Sequence, residues 1–224
     1  MDLTVARPHL HVIPELTQPN RDNLGLIERI RSGHKIITFT GASGAGKSSL
    51  MKRLIREDGR FAWMKSVTTR VARESDYRGE YMHVTDPRFV AMERRREFLW
   101  SVGPHGNRYG TLKRDIEEAL QHPYPTLMHV VPECVQTLQL YAPGRVLSLF
   151  VYVGDREELQ RRLQHRDPDQ TADYYAERIQ TCLGWEKQAR AGGLFAKFFD
   201  NSGKFDTTYD NLVHCLVSLP PCGS

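Results

Sequence analysis

One octapeptide constrains this chain more than any other feature: Gly41-Ala42-Ser43-Gly44-Ala45-Gly46-Lys47-Ser48. It meets G-x-x-x-x-G-K-[ST] at every fixed position. Glycines let the backbone curl so that successive N–H groups converge on phosphate oxygens. A helix starting at Lys47 turns the positive end of its dipole on the same anion. Lys47 would reach the β- and γ-phosphates, and the Ser48 hydroxyl would ligate Mg²⁺. The motif carries this meaning only between a strand and a helix. Lys35–Thr40 is a short β-rich run, and Lys47 to about Glu57 reads as the helix, so both flanks are present. With Ser49 beside them, these eight residues are the candidate ATP site, and ATP with Mg²⁺ is the expected co-substrate.

The rest of the chain extends the first βα unit. Further buried strands are expected at Trp63–Thr69, Thr126–Val131, Val146–Val153 and Phe195–Asp200. Helices are expected over 87–95, 112–121, 133–141, 156–164, 172–190 and 207–217. Alternating β and α predicts an α/β three-layer sandwich around a five-stranded parallel sheet. Pro8, Pro14 and Pro19 make residues 1–20 a tail or strap, and a short amphipathic helix runs over 22–31. The expected division is 1–34 as tail and helix and 35–224 as one domain. That domain carries two surface inserts, at 66–111 and 162–178. With 224 residues there is room for one sizeable core.

Composition narrows the class. Lys plus Arg exceed Asp plus Glu by 31 to 27, a mildly basic balance that suits small anions and gives no ground for nucleic-acid binding. No run approaches 18 apolar residues and the amino terminus has no apolar signal core, so a cytoplasmic protein without a membrane partner is expected. Cys134, Cys182, Cys215 and Cys222 form no CxxC pair or Cys/His cluster. They read as reduced thiols, the first three packed in helices.

Between the P-loop helix and the third strand lie Ser66-Val-Thr-Thr-Arg70, Arg73, Tyr81 and Gly106-Asn-Arg-Tyr109-Gly-Thr111. With the P-loop, in this order, these residues resemble the guanylate kinase family from about Lys35 to Leu216. The resemblance implies that Arg70, Arg73, Tyr81 and Tyr109 hold the phosphate of an acceptor monophosphate, making 66–111 an acceptor-binding insert. Charge-assisted arginine forks and tyrosine hydroxyls suit a phosphate dianion. Ser66 and Thr111 match hydroxyl positions that contact guanine. Leu159-Gln-Arg-Arg162-Leu163-Gln-His-Arg166 and Arg178 match the entry and return of a helical lid over the ATP phosphates. Arg166 and Arg178, with Lys47, are the candidate catalytic residues. Asn201 matches an asparagine near adenine.

Base recognition departs from the family pattern. Trp100 stands where the family has a guanine-reading glutamate, and an indole accepts no hydrogen bond. His129 and Val131 stand where the third strand usually carries two aspartates. Trp100 reads either as a stacking surface or as a core residue, and His129 either as a polar contact or as a packed one. Glu133 is the substitute candidate for the acid lost at Val131. The leading expectation is in-line phosphoryl transfer from ATP to GMP, with no catalytic base assigned. The alternative is phosphorylation of ribose 1,5-bisphosphate, which needs no guanine reader. A third reading, a non-catalytic binding module, sits poorly with the presence of Lys47, Arg166 and Arg178.

Overall fold

The computed structural model describes residues 26–30, 33–74, 76–103 and 106–220. The tail at 1–20, half of the expected 22–31 helix and Cys222 lie outside them; of that helix, one turn is described as α1 (Leu26–Arg29).

The Ile36–Thr40 run forms β1, and every residue in it is buried, as a strand covered on both faces requires. β1 leads through the glycine loop into α2 (Lys47–Glu57), which turns Leu50, Met51, Leu54 and Ile55 onto the sheet. The other strands of this sheet are β2 (Ala62–Trp63), β7 (Thr126–His129), β8 (Val146–Tyr152) and β9 (Lys197–Asp200). Their order is β2-β7-β1-β8-β9, with all pairs parallel. Helices α4 (Lys113–Gln121), α5 (Pro132–Tyr141), α6 (Arg156–Arg166), α7 (Ala172–Gly192) and α8 (Phe205–Ser218) supply the outer layers. The expected α/β sandwich with a five-stranded parallel sheet is therefore the fold. Phe39, Leu50, Leu149 and Leu212 are among its fully buried core residues. Cys134 and Cys182 are buried in helices and Cys215 is half-buried, as expected of packed thiols.

Two expectations change. The run Trp63–Thr69 is not one strand. Ala62–Trp63 pairs with β7, whereas β3 (Ser66–Thr68) joins a second sheet. The region 66–111 is also more regular than its composition suggested. β3, β4 (Tyr81–His83), β5 (Phe98–Val102) and β6 (Tyr109–Leu112) make a four-stranded mixed sheet of order β4-β3-β6-β5. Helix α3 (Asp86–Arg94) covers it. This sheet has its own small core of Val67, Phe89, Met92, Phe98 and Leu112, with the Phe89 and Phe98 rings stacked 4.7 Å apart.

Candidate functional site

The glycine loop has the backbone that its sequence requires. Gly41, Gly44 and Gly46 take φ values of 139°, 83° and 89°, a region costly for other residues. A Cβ on Gly41 would collide with the Val151 carbonyl, so the loop lies against β8 at a distance only glycine allows. Gly46 caps α2 with no side-chain hydrogen bond, and the first turn has no acidic residue. The leading N–H groups of an 11-residue helix therefore face the cleft without an internal partner, the arrangement that receives an anion. Lys47 Nζ donates to the carbonyls of Gly41 and Ala42 at 2.9 and 2.6 Å. Burial draws the Lys47 pKa down to about 8. Neighbouring Arg166 adds to that, while Cys182 and Glu80 oppose it.

This loop is one wall of a cleft of ≈ 730 Å³, a size ordinary for small-molecule sites. Of the candidate ATP-site residues, Gly41, Ser43, Gly44, Gly46, Lys47, Ser48, Ser49 and Asn201 line it, while Ala42 and Ala45 are buried in the loop behind. All six candidate acceptor residues, Ser66, Arg70, Arg73, Tyr81, Tyr109 and Thr111, line the same cleft, as do Arg166 and Arg178. Lys47, Lys52, Arg70, Arg73, Arg162, Arg166 and Arg178 face two carboxylates, Asp76 and Glu80. Seven cations against two anions make it a site for strongly negative ligands.

The mixed sheet orders the candidate acceptor residues. Arg70 follows β3 and pairs with Asp76 at 2.7 Å, and its guanidinium lies 4.9 Å from the Tyr81 ring centroid. Tyr81 on β4 and Tyr109 on β6 meet edge to face with centroids 6.2 Å apart. Arg73 reaches Asp167 at 3.4 Å. Asp167 follows α6 and also holds Arg166 at 2.7 Å and the Tyr174 hydroxyl at 3.1 Å. Burial alone would raise the Asp167 carboxyl, but Arg166, Arg73 and Tyr174 outweigh it and hold the group below the usual range. Arg166 also donates to Ser43 Oγ at 2.5 Å, tying the end of α6 to the glycine loop. Arg178 lies over the Tyr174 ring at 4.8 Å. Arg162 donates to the Asn201 carbonyl at 2.8 Å. The Asn201 amide is turned into the loop, donating to the Ala45 carbonyl at 2.9 Å.

The positions that departed from the family pattern resolve as follows. Trp100 is half-buried, packs on two apolar clusters and also lines the cleft. Val131 adds to the same wall. Glu133, the substitute acid, is exposed on α5 and is absent from the cleft lining, while Pro132, Cys134 and Val135 in the same turn are buried. The sequence reading named neither acid that does line the cleft, Asp76 or Glu80, and the more buried of the two is Glu80. It is 6% exposed and pairs with His129 Nδ1 at 3.2 Å. Burial pulls the His129 pKa down against the pull of Glu80. Position next to Tyr81 was the only available signal for Glu80, and a carboxylate in a charged insert reads equally well as solvated.

Among the described residues no group of three or more His, Cys, Asp or Glu side chains could hold a metal by itself. The Ser48 hydroxyl faces the cleft, 3.5 Å from His129 Nε2. One hard oxygen fits Mg²⁺, which keeps water and substrate phosphates for its other positions, so the ion would enter with the nucleotide.

The guanylate kinase family profile matches residues 33–218. A guanylate kinase of Nitrosomonas europaea is 32% identical over 136 residues, covering 60% of this chain and 67% of the relative. One of Bartonella quintana is 34% identical over 135 residues, covering 60% and 61%. The matched stretch thus spans about two thirds of these relatives' lengths. The crystal structure of guanylate kinase from Anaplasma phagocytophilum superposes with a TM-score of 0.63 at 19% identity, over 83% of this chain and 85% of that one, which supports the fold. A P-loop between β1 and α2, a parallel five-stranded sheet and a profile match across most of the chain lead to one conclusion: this protein belongs to the guanylate kinase family of nucleoside monophosphate kinases.

Proposed function

We propose that this chain transfers the γ-phosphoryl group of ATP to a small phosphorylated acceptor, with GMP the leading acceptor and GDP the product. The observation that carries the reading is that one cleft is lined both by the glycine loop with Lys47 and by Arg70, Arg73, Tyr81 and Tyr109. In this reading Gly41–Ser49 cradle the donor phosphates. Asn201 acts by bracing the glycine loop at Ala45 beneath the nucleotide. Bound Mg²⁺ would offset charge on the β- and γ-phosphates, with Ser48 as its protein ligand. The acceptor phosphate displaces Asp76 and Asp167 as partner of Arg70 and Arg73, and Ser66 and Thr111 offer hydroxyls to the rest of the acceptor. Residues 162–178 act as the lid, in which Arg166 and Arg178 neutralise the transferring group and keep water out. Positioning and charge carry such a transfer, so no covalent nucleophile is needed. A cytoplasmic location goes with this reading, since ATP and nucleotide acceptors are held there.

A second acceptor, ribose 1,5-bisphosphate, is favoured by one specific observation. Guanine presents two donors, N1–H and N2–H₂, whereas Trp100, Val102 and Val131 form an apolar wall. The two lining carboxylates, Asp76 and Glu80, are already engaged with Arg70 and His129.

A coupled ADP-release assay across GMP, dGMP, AMP, UMP, CMP and ribose 1,5-bisphosphate tests both. Turnover is expected to be greatest with GMP. Equal turnover with the other nucleotides would overturn the choice of GMP, and turnover with ribose 1,5-bisphosphate alone would select the second acceptor. Lys47→Ala should lose about 10²–10³ in kcat, the cost of removing one preorganised charge-stabilising donor. Unchanged turnover in that variant would overturn the enzymatic reading.

A further inference from the structure

His129 ends β7, and its register opposite Phe39 on β1 brings it beside the glycine loop. Its ring is fixed from two further sides. Trp63 meets it edge-on with centroids 5.3 Å apart, and Glu80 reaches across from the mixed sheet to Nδ1 at 3.2 Å. Glu80 is itself held, accepting from the Tyr77 N–H at 3.1 Å through its other oxygen. An ionised carboxylate only accepts hydrogen bonds, so Nδ1 carries the hydrogen. In the neutral ring Nε2 is then the acceptor, and it faces Ser48 Oγ at 3.5 Å.

A hydroxyl that gives a lone pair to a cation must point its hydrogen elsewhere, and that hydrogen needs an acceptor. Metal-bound waters need acceptors for the same reason. Ser48 lies beside Lys47 in the cleft, and His129 Nε2 stands 3.5 Å from its hydroxyl oxygen, placed to accept. We infer that Glu80 and His129 act as a pair of positioning residues for the metal–nucleotide complex: Glu80 fixes the imidazole, and Nε2 accepts the hydrogen of the Ser48 hydroxyl or of a metal-bound water. The inference rests on the P-loop reading of the donor site. It gives His129 a role other than packing and gives the buried Glu80 carboxylate a purpose beyond joining the two sheets.

The test uses the full chain and a non-hydrolysable ATP analogue, with calorimetric Kd values measured in excess EDTA and in Mg²⁺. The ratio of the two is the metal increment. His129→Phe keeps the ring and removes the acceptor; Glu80→Leu removes the group that fixes the tautomer. Each should cut the increment about tenfold, the scale for outer-shell partners of metal sites, while binding in EDTA stays near wild type. Glu80→Gln still offers an oxygen to the Nδ1 hydrogen and should retain most of the increment. A purely structural tether would lower the melting temperature of Glu80→Leu and leave the increment alone. A wild-type increment in His129→Phe overturns the inference, and that variant answers the question even if Glu80→Leu fails to fold. No analogue binding by wild type, with or without Mg²⁺, would instead overturn the donor-site reading and this inference with it.

Discussion

Arg73 and Asp167 show how a single side chain acquires its meaning. The arginine was legible as a candidate acceptor ligand from its place after Ser66–Arg70; its carboxylate partner, 94 positions away, was not. Arg73→Ala should raise the KM for the acceptor by about ten- to a hundredfold, the weight of one charge-assisted hydrogen-bond partner, with little change in KM for ATP. Steady-state kinetics with each substrate varied in turn checks this, and an equal loss on both sides would refute it. Asp167→Asn should destabilise the fold at neutral pH by about 1 kcal/mol, the low end for charge-assisted bonds because Arg166 is partly wet. The Asp167 carboxyl is held low in the fold, so its contribution is complete above the usual aspartate pKa. It fades as pH falls through the lower folded value. Denaturant melts of the two proteins should therefore differ at neutral pH and converge below about pH 4. A gap that widened on acidification would contradict the assignment.

The glycine loop and its flanks were the most legible elements. Their backbone demands are local: a strand, left-handed turns that only glycine makes cheaply, and a helix start. Gly41→Ala adds both strain at φ 139° and a clash with the Val151 carbonyl. It should cost about 3 kcal/mol, seen as a melting temperature lower by roughly 10 °C. A melting temperature within a degree of wild type would mean that the loop does not press on β8. The mixed sheet was the least legible element. Its strands are three to five residues long and only partly buried, so they show neither a long apolar run nor a clean alternation. The division of Trp63–Thr69 between two sheets was equally hidden. A continuous apolar run states that backbone is buried and does not state which neighbour it pairs with.

Across the whole molecule, the cleft is assembled from three bodies: the parallel sheet with its glycine loop, the mixed sheet, and the α6–α7 pair. Asp167 joins the last two through Arg166 and Arg73, and Arg166 joins α6 to the loop through Ser43. If the α6–α7 turn closes as a lid, an ATP analogue added with the acceptor should slow hydrogen exchange in 159–178 and 66–83. It should leave β1 and β8 little changed, since those strands are already buried. Mass-spectrometric exchange with each ligand alone and with both would read this out. Protection confined to the glycine loop would exclude closure.

Local chemistry let the sequence determine the glycine loop between strand and helix and the α/β alternation, because each follows from a short motif or a period of hydrophobicity; the candidate acceptor residues came from the family resemblance. The tertiary structure alone decided that Glu80, and not Glu133, enters the cleft, that Asn201 braces the loop, and that Asp167 sits between two arginines. Those outcomes depend on which distant surfaces pack together, and a charged residue carries the same local signal whether it ends in water or against a buried partner.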